Sequence, residues 1–198
     1  MIAGAALELD EVLARHHVGI SSHELAAELD AALSALGGAG STPLSGKETD
    51  FLHSHVTGTA ATVLAEWSPE AERQERARVV TRTLTDTVAA SISIGEAADR
   101  LGVDRSRISH RLRDQQLWSF TLGKRRRVPR WQFISAGQLL PGLDRIIASI
   151  PEGIAPRSVE AFMHTAQPDF AGQAPVDYLA AGGDPDLVAG FLADLARW

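Results

Sequence analysis

Ser93, Glu96 and Gly102 are spaced in a way that constrains this chain more than any other feature of its sequence. Ser93 and Glu96 form a capping box, in which each side chain bonds an otherwise unpaired backbone amide at a helix start. Gly102 follows where a short helix must turn sharply, because glycine adopts a positive φ without steric strain. The pattern therefore predicts a helix over 94–101 that ends in a tight turn.

A second helix is expected directly after this turn. Asp104 is a capping residue for a helix over 105–115, and Ile108 and Leu112 form its apolar inner face. The small side chain of Ala98 on the first helix allows the two helices to cross closely. Two short helices that cross through such a turn form a helix-turn-helix.

The distribution of charge indicates a polyanionic partner. The whole chain has a net charge of −6, which by itself argues against nucleic acid. Residues 92–131, however, carry 10 basic and 4 acidic side chains, whereas the net charge is −7 over 1–91 and −5 over 132–198. Association is steered by local potential more than by total charge, so the central block is the expected contact surface.

The outer face of the second predicted helix supplies candidate contacts to DNA. Arginine can bond guanine bidentately in the major groove, and Ser or His can add single contacts. The residues expected to face the groove are Arg105, Ser106, Ser109, His110 and Arg113. Arg107 and Arg111 lie on the flank of this helix and are expected to contact phosphates. The alternative is a solvated basic helix face, but 105–113 contains no acidic residue to balance its charges.

Strand-like alternation replaces the helical pattern after Leu117. A short β-hairpin is predicted over 118–129, with its turn at Gly123 and four consecutive cations that follow it. Three of these cations are assigned to DNA, namely Lys124, Arg125 and Arg126. Arg127 lies near the root of the hairpin and is expected to brace the fold. Trp131 and Phe133 are expected to seat the hairpin on the core, the alternative being platforms on which bases stack.

The segment resembles the winged helix-turn-helix of the excisionase and MerR-like DNA-binding families. Those families have E-A-A-x-x-L-G-V before the recognition helix and G-[RK]-R-x-R-[VI]-P in the wing. The matching positions are Glu96, Ala97, Ala98, Leu101, Gly102, Val103, Gly123, Lys124, Arg125, Arg127, Val128 and Pro129. The resemblance implies that the second helix enters the major groove while the wing approaches the backbone or an adjacent minor groove.

The sequence divides into three regions of a mainly α chain. Residues 1–91 are expected to form a helical N-terminal region, 92–134 the winged helix-turn-helix, and 135–198 a small helical domain. Within the first region, a helix is expected after Ser21-Ser22 that ends at Gly37-Gly38, and another from Lys47 to Trp67. A third helix is expected to start at Ser68-Pro69 and to end before Ser91. Dimerisation through this region is an open possibility.

The C-terminal region resembles the toxin-binding domain of Xre/ParS-type antitoxins, which partner RES-domain toxins. The pattern covers roughly 158–196 and departs from the family at Phe170-Ala171. The last helix is expected to have Leu187, Val188, Phe191, Leu192 and Leu195 on its apolar face. The resemblance implies a surface for a toxin protein, with four candidate contact residues: Phe170, Tyr178, Phe191 and Trp198.

The composition argues against several other classes of protein. The absence of cysteine excludes a disulfide scaffold, thiolate metal sites and a cysteine nucleophile. His53 and His55 point apart on a helix, and no Gly-rich phosphate loop follows a strand, so no metal, no cofactor and no enzymatic activity are expected. No apolar run approaches the ~20 residues of a membrane span, and the start lacks a basic signal-peptide region, so a cytoplasmic, nucleoid-associated protein is expected.

Taken together, the sequence predicts a sequence-specific, double-stranded DNA-binding transcriptional regulator that acts as the antitoxin of a type II toxin–antitoxin operon. A homodimer would place two recognition helices about 34–36 Å apart on successive major grooves. One alternative is an excisionase-like or developmental regulator that bends DNA without a toxin. A second alternative is a protein-interaction scaffold whose winged helix does not touch DNA.

Overall fold

A computed structural model describes residues 2–15, 19–38, 45–58, 69–135 and 137–195. The protein is mainly α-helical with a small antiparallel sheet, as the sequence predicts. It divides into two compact units, one comprising Met1–Glu24 with Thr85–Trp198 and the other comprising Leu25–Leu84.

The described helices are α1 (Ile2–Arg15), α2 (Ser22–Gly38), α3 (Gly46–His55), α4 (Pro69–Ala89), α5 (Ile94–Leu101), α6 (Arg105–Arg113), α7 (Leu143–Ala148), α8 (Pro156–His164), α9 (Pro175–Ala180) and α10 (Pro185–Asp194). The strands are β1 (Ser91–Ser93), β2 (Phe120–Leu122), β3 (Arg125–Pro129), β4 (Phe133–Ser135) and β5 (Gln138–Leu139). Two 3₁₀ turns cover Arg130–Gln132 and Pro168–Phe170.

The N-terminal predictions are confirmed in part. The helix α2 begins after Ser21, whose hydroxyl accepts from the Glu24 amide at 3.3 Å, and it ends at Gly38 as expected. The helix expected over 47–67 is not continuous: α3 ends at His55 and Val56 is extended with ψ +136°, while 59–67 lie outside the described residues. Gly58 then has φ +68°, a conformation that interrupts a helix. Ser68 lies outside the described residues, while α4 starts at Pro69 and ends before Ser91.

The strands β1, β3 and β2 form an antiparallel sheet in that order. Ile92 pairs with Val128, and Thr121 pairs with Arg126. Because successive side chains of a strand alternate between the two faces of a sheet, Arg126 lies on the face of Val128, and Arg125 lies on the other face with Arg127. The predicted β-hairpin over 118–129 is confirmed.

One core joins the helix-turn-helix to the C-terminal helices. The fully buried side chains include Ile108, Val128, Ile146, Met163 and Leu192. All five belong to a single hydrophobic cluster, which lies within the first compact unit. The boundary expected between 92–134 and 135–198 therefore does not separate two compact units, because both segments bury their apolar faces in the same core.

Candidate nucleic-acid interface

The helix-turn-helix has the local geometry that the sequence predicts. Glu96 Oε2 accepts from the Ser93 amide at 2.8 Å, and Ser93 Oγ accepts from the Glu96 amide at 3.1 Å. The helix α5 covers 94–101, and Gly102 follows it with φ +63°. The Val103 amide then donates to the Ala98 carbonyl at 3.0 Å, which closes the turn. The capping box and the glycine turn are both confirmed.

The crossing of α5 and α6 also agrees with the prediction. Ala97, Ala98 and Ile108 are buried where the two helices pack. Small alanine side chains permit this close approach, and dense packing fixes the angle at which α6 is presented. The orientation of α6 is therefore set by the core and not by its exposed residues.

Two details of α6 differ from the prediction. Asp104 occupies the cap position, but its side chain makes no capping hydrogen bond. The helix ends at Arg113 rather than near Gln115, because Gln115 adopts φ +55° and the Leu117 amide bonds back to the Arg111 carbonyl at 3.2 Å. This ending directs Leu117 into the core, where it is 1% exposed.

The structure exposes the residues predicted to face the groove and one of the two residues predicted to contact phosphates. Arg105, Ser106, Arg107, Ser109, His110 and Arg113 are exposed, and Arg111 is half-buried. The Ser109 hydroxyl donates to the Arg105 carbonyl at 3.2 Å, so its proton is used within the helix. Arg113 Nη1 lies 3.3 Å from His110 Nδ1. All of these side chains except half-buried Arg111 therefore lie on the solvent-exposed side of α6.

Arg105 has a second neighbour that the sequence did not indicate. A Cβ placed on Gly95 would lie 3.0 Å from Arg105 Nη2. The guanidinium therefore lies against the first turn of α5 while the side chain stays exposed.

The side chains of Lys124, Arg125 and Arg126 in the hairpin are exposed to solvent, as expected. Arg126 lies on the same sheet face as Val128, which is buried in one core cluster with Ala97 of α5 and Ile108 of α6. Arg125 lies on the opposite face and forms an ion pair with Glu24 in the first turn of α2. The prediction grouped all three cations together, whereas the alternation of the strand separates Arg125 from Arg126.

Arg127 braces the fold, which confirms its expected role. It is 2% exposed, and its guanidinium donates to Ser91 Oγ at 2.7 Å and to the Ser91 carbonyl at 2.9 Å. It also donates to the carbonyls of Val88 at 3.1 Å and Gly19 at 3.2 Å. Burial lowers the pKa of Arg127 from its ordinary value, and the charge of Glu96 opposes that shift. The guanidinium thus fixes the root of the wing.

Gln132 is a structural residue that sequence reasoning missed. It is fully buried, its Oε1 accepts from the Trp118 amide at 2.7 Å, and its Nε2 donates to the Trp118 carbonyl at 2.9 Å. These bonds fix the point where the chain leaves α6 and enters the hairpin. The only local signal is a polar side chain between Trp131 and Phe133.

Trp131 and Phe133 seat the hairpin on the core rather than offering stacking platforms. Trp131 is 2% exposed, and Phe133 is half-buried and packs against the same core cluster. The Arg100 guanidinium lies 5.6 Å from the centre of the Phe133 ring, which is a cation–π distance. Neither ring is open to a base.

A set of unpaired cations remains on α6 and on the hairpin. Within the described ranges, none of the following cations forms an ion pair with a carboxylate: Arg105, Arg107, Arg111, Arg113, Lys124 and Arg126. We call these six residues the basic face. Since like charges repel without acidic partners, the basic face favours a polyanionic ligand.

Among the four candidate toxin contacts, the structure contradicts one. Phe170 is fully buried, so its assignment as a contact residue is wrong. Its ring packs 5.5 Å from Tyr178 and 5.3 Å from Phe191, because a 3₁₀ turn over 168–170 points it into the core. Tyr178 and Phe191 are half-buried, and Trp198 lies outside the described residues.

Leu187 also departs from the expected apolar stripe. It is 39% exposed, whereas Val188 and Leu192 are fully buried. The helix α10 packs against α7, and Leu187 lies off that contact. Leu187 and Phe191 are four residues apart and share one side of α10.

Other kinds of site find no support in the part of the chain that the structure describes. No group of three or more His, Cys, Asp or Glu side chains is arranged to hold a metal ion there. In the same ranges, no helix has both the length and the apolar character needed to cross a membrane.

No family model, curated protein or solved structure matches the chain at a significant level.

Proposed function

We propose that this protein binds double-stranded DNA sequence-specifically and regulates transcription. The observation that carries the proposal is the basic face, because its unpaired cations lie on a helix-turn-helix and its wing. The backbone that carries them is fixed by buried Ile108, Arg127 and Gln132. A rigid scaffold with exposed cations is what phosphate binding and groove reading both require.

In this proposal α6 lies in the major groove. Ser106, Ser109 and Arg113 contact base edges, since serine hydroxyls bond several bases and arginine bonds guanine. The flanking Arg107 and Arg111 contact phosphates, as do Lys124 and Arg126 of the wing at an adjacent stretch of backbone. Two copies bind half-sites about 34–36 Å apart, which predicts an operator with a symmetric or direct repeat.

The proposal extends to an antitoxin role for the C-terminal part. It is supported by the resemblance over 158–196, by the net charge of −5 over 132–198 and by exposed Leu187 beside Phe191. An acidic surface with apolar residues suits a basic partner protein. Co-purification with the product of the adjacent gene is the expected result, whereas filaments on long DNA would favour the excisionase-like alternative.

A triple substitution on α6 tests the proposed function. After an operator is selected from random duplexes, we expect R105A/S109A/R113A to weaken binding by about tenfold or more per arginine removed, because each arginine bond to a base or phosphate is lost. The salt dependence should also become shallower, by about 0.9 in slope for each phosphate contact removed. Fluorescence anisotropy at several salt concentrations measures both.

The matched control is R15A/R78A, which removes two positive charges from exposed positions on α1 and α4. Its affinity should stay near that of the unmodified protein. Thermal unfolding should be the same for both variants, because exposed side chains contribute little to stability. Equal affinities for the triple variant and the control would refute DNA binding by α6 and would favour the scaffold alternative.

A further inference from the structure

An ion pair links the wing to the first turn of α2. Arg125 Nη2 contacts Glu24 Oε1, and the Arg125 side chain is 65% exposed while that of Glu24 is 26% exposed. Within the described residues, Arg125 is therefore the only cation among 124–126 that forms an ion pair with a carboxylate. The other two, Lys124 and Arg126, belong to the basic face.

Glu24 is held in place for this contact by its own helix start. Its Oε2 accepts from the Ser21 amide at 3.1 Å, and its amide donates to Ser21 Oγ at 3.3 Å. The bond from Ser21 and the charge of Arg125 lower the pKa of Glu24, so the carboxylate is charged at neutral pH. One oxygen is therefore used by the capping box and the other by the wing.

The segment that carries Glu24 is anchored to the wing at a second point. The Gly19 carbonyl accepts from Arg127 Nη1 at 3.2 Å. The Ser22 amide donates to Asp10 Oδ1 at 2.6 Å, which joins the segment to α1. Because of these bonds, the carboxylate stays at the wing without depending on the ion pair alone.

We propose that Glu24 is an internal competitor for phosphate that holds Arg125 back from DNA. This inference rests on the proposed function and identifies a residue that sets its affinity. A carboxylate and a phosphate oxygen compete for the same guanidinium, so the wing offers the duplex Lys124 and Arg126 only. Removing the carboxylate frees Arg125. Its long, exposed side chain then reaches the DNA backbone and forms a hydrogen bond with a further phosphate.

A double-mutant cycle on a mixed-sequence duplex tests this proposal, because binding to such DNA depends on phosphate contacts. We expect E24Q to bind about two- to fivefold more tightly than the unmodified protein, the range that an exposed ion pair permits. Its salt slope should steepen by about 0.9, because Arg125 then neutralises one more phosphate. R125A alone should have little effect, and the double variant E24Q/R125A should lose the whole increase in affinity.

The matched control is E11Q, which removes one negative charge from an exposed position on α1. Glutamine is also accepted in a capping box, so E24Q should fold and melt as the unmodified protein does. An increase in the affinity of E24Q no larger than that of E11Q, or one that persists in the double variant, would overturn the inference alone. If the unmodified protein shows no salt-dependent binding, the proposed function is overturned and the inference with it.

Discussion

Replacing Arg127 by methionine is expected to lower the free energy of unfolding by about 3 kcal/mol, because it leaves several buried acceptors without a donor. The carbonyls of Gly19, Val88 and Ser91 each accept a hydrogen bond from this guanidinium. Methionine fills much of the same volume but donates no hydrogen bond. Urea denaturation followed by tryptophan fluorescence measures the change.

The neighbouring arginine provides the control for this prediction. Arg126 is exposed, and we expect R126M to change the free energy of unfolding by less than about 0.5 kcal/mol. The same substitution should weaken DNA binding and reduce the salt slope by about 0.9, because Arg126 belongs to the basic face. Equal stabilities of the R126M and R127M variants would show that the buried bonds of Arg127 do not hold the wing.

Replacing Gly142 by alanine should also destabilise the protein, by about 3 kcal/mol through backbone strain and overpacking together. Gly142 has φ +68°, and a Cβ placed on it would lie 2.4 Å from Pro185 Cβ. Gly142 caps the start of α7 and Pro185 starts α10, so the added methyl group forces the two helices apart. Thermal and urea unfolding both report this effect.

The same substitution at Gly153 separates the effect of backbone strain from that of overpacking. It has φ +77°, but no atom lies within 4 Å of the position that its Cβ would occupy. We expect G153A to cost about 1 kcal/mol, from backbone strain alone. If G142A is no more destabilising than G153A, the close approach of Gly142 to Pro185 does not limit the packing of α7 on α10.

Local signals in the sequence predicted the elements of the candidate site accurately. The capping box of Ser93 and Glu96, the turn at Gly102 and the hairpin turn at Gly123 each involve residues a few positions apart. Their physics is contained in that short stretch of backbone, so no tertiary information is needed. The helix expected over 47–67 failed because the periodicity of apolar residues does not reveal where a helix stops.

Burial was harder to predict than secondary structure. The resemblance assigns Phe170 to a partner surface, whereas the structure packs its ring against three others, those of Phe162, Tyr178 and Phe191. Leu187 was assigned to the core stripe and is exposed. Both side chains are apolar, and which of them meets the core depends on the angle at which α9 and α10 pack.

The sequence by itself determined the helix-turn-helix, its wing and the block of positive charge, because each arises from neighbouring residues. Only the tertiary structure decided which cations are unpaired. Arg127 bonds a carbonyl 108 positions away, and Arg125 pairs with Glu24 in the same distant segment. Partners so far apart in sequence come into contact only after the chain has folded. These contacts make Arg127 a buried brace and pair Arg125 with Glu24, whereas Lys124 and Arg126 keep unpaired charges.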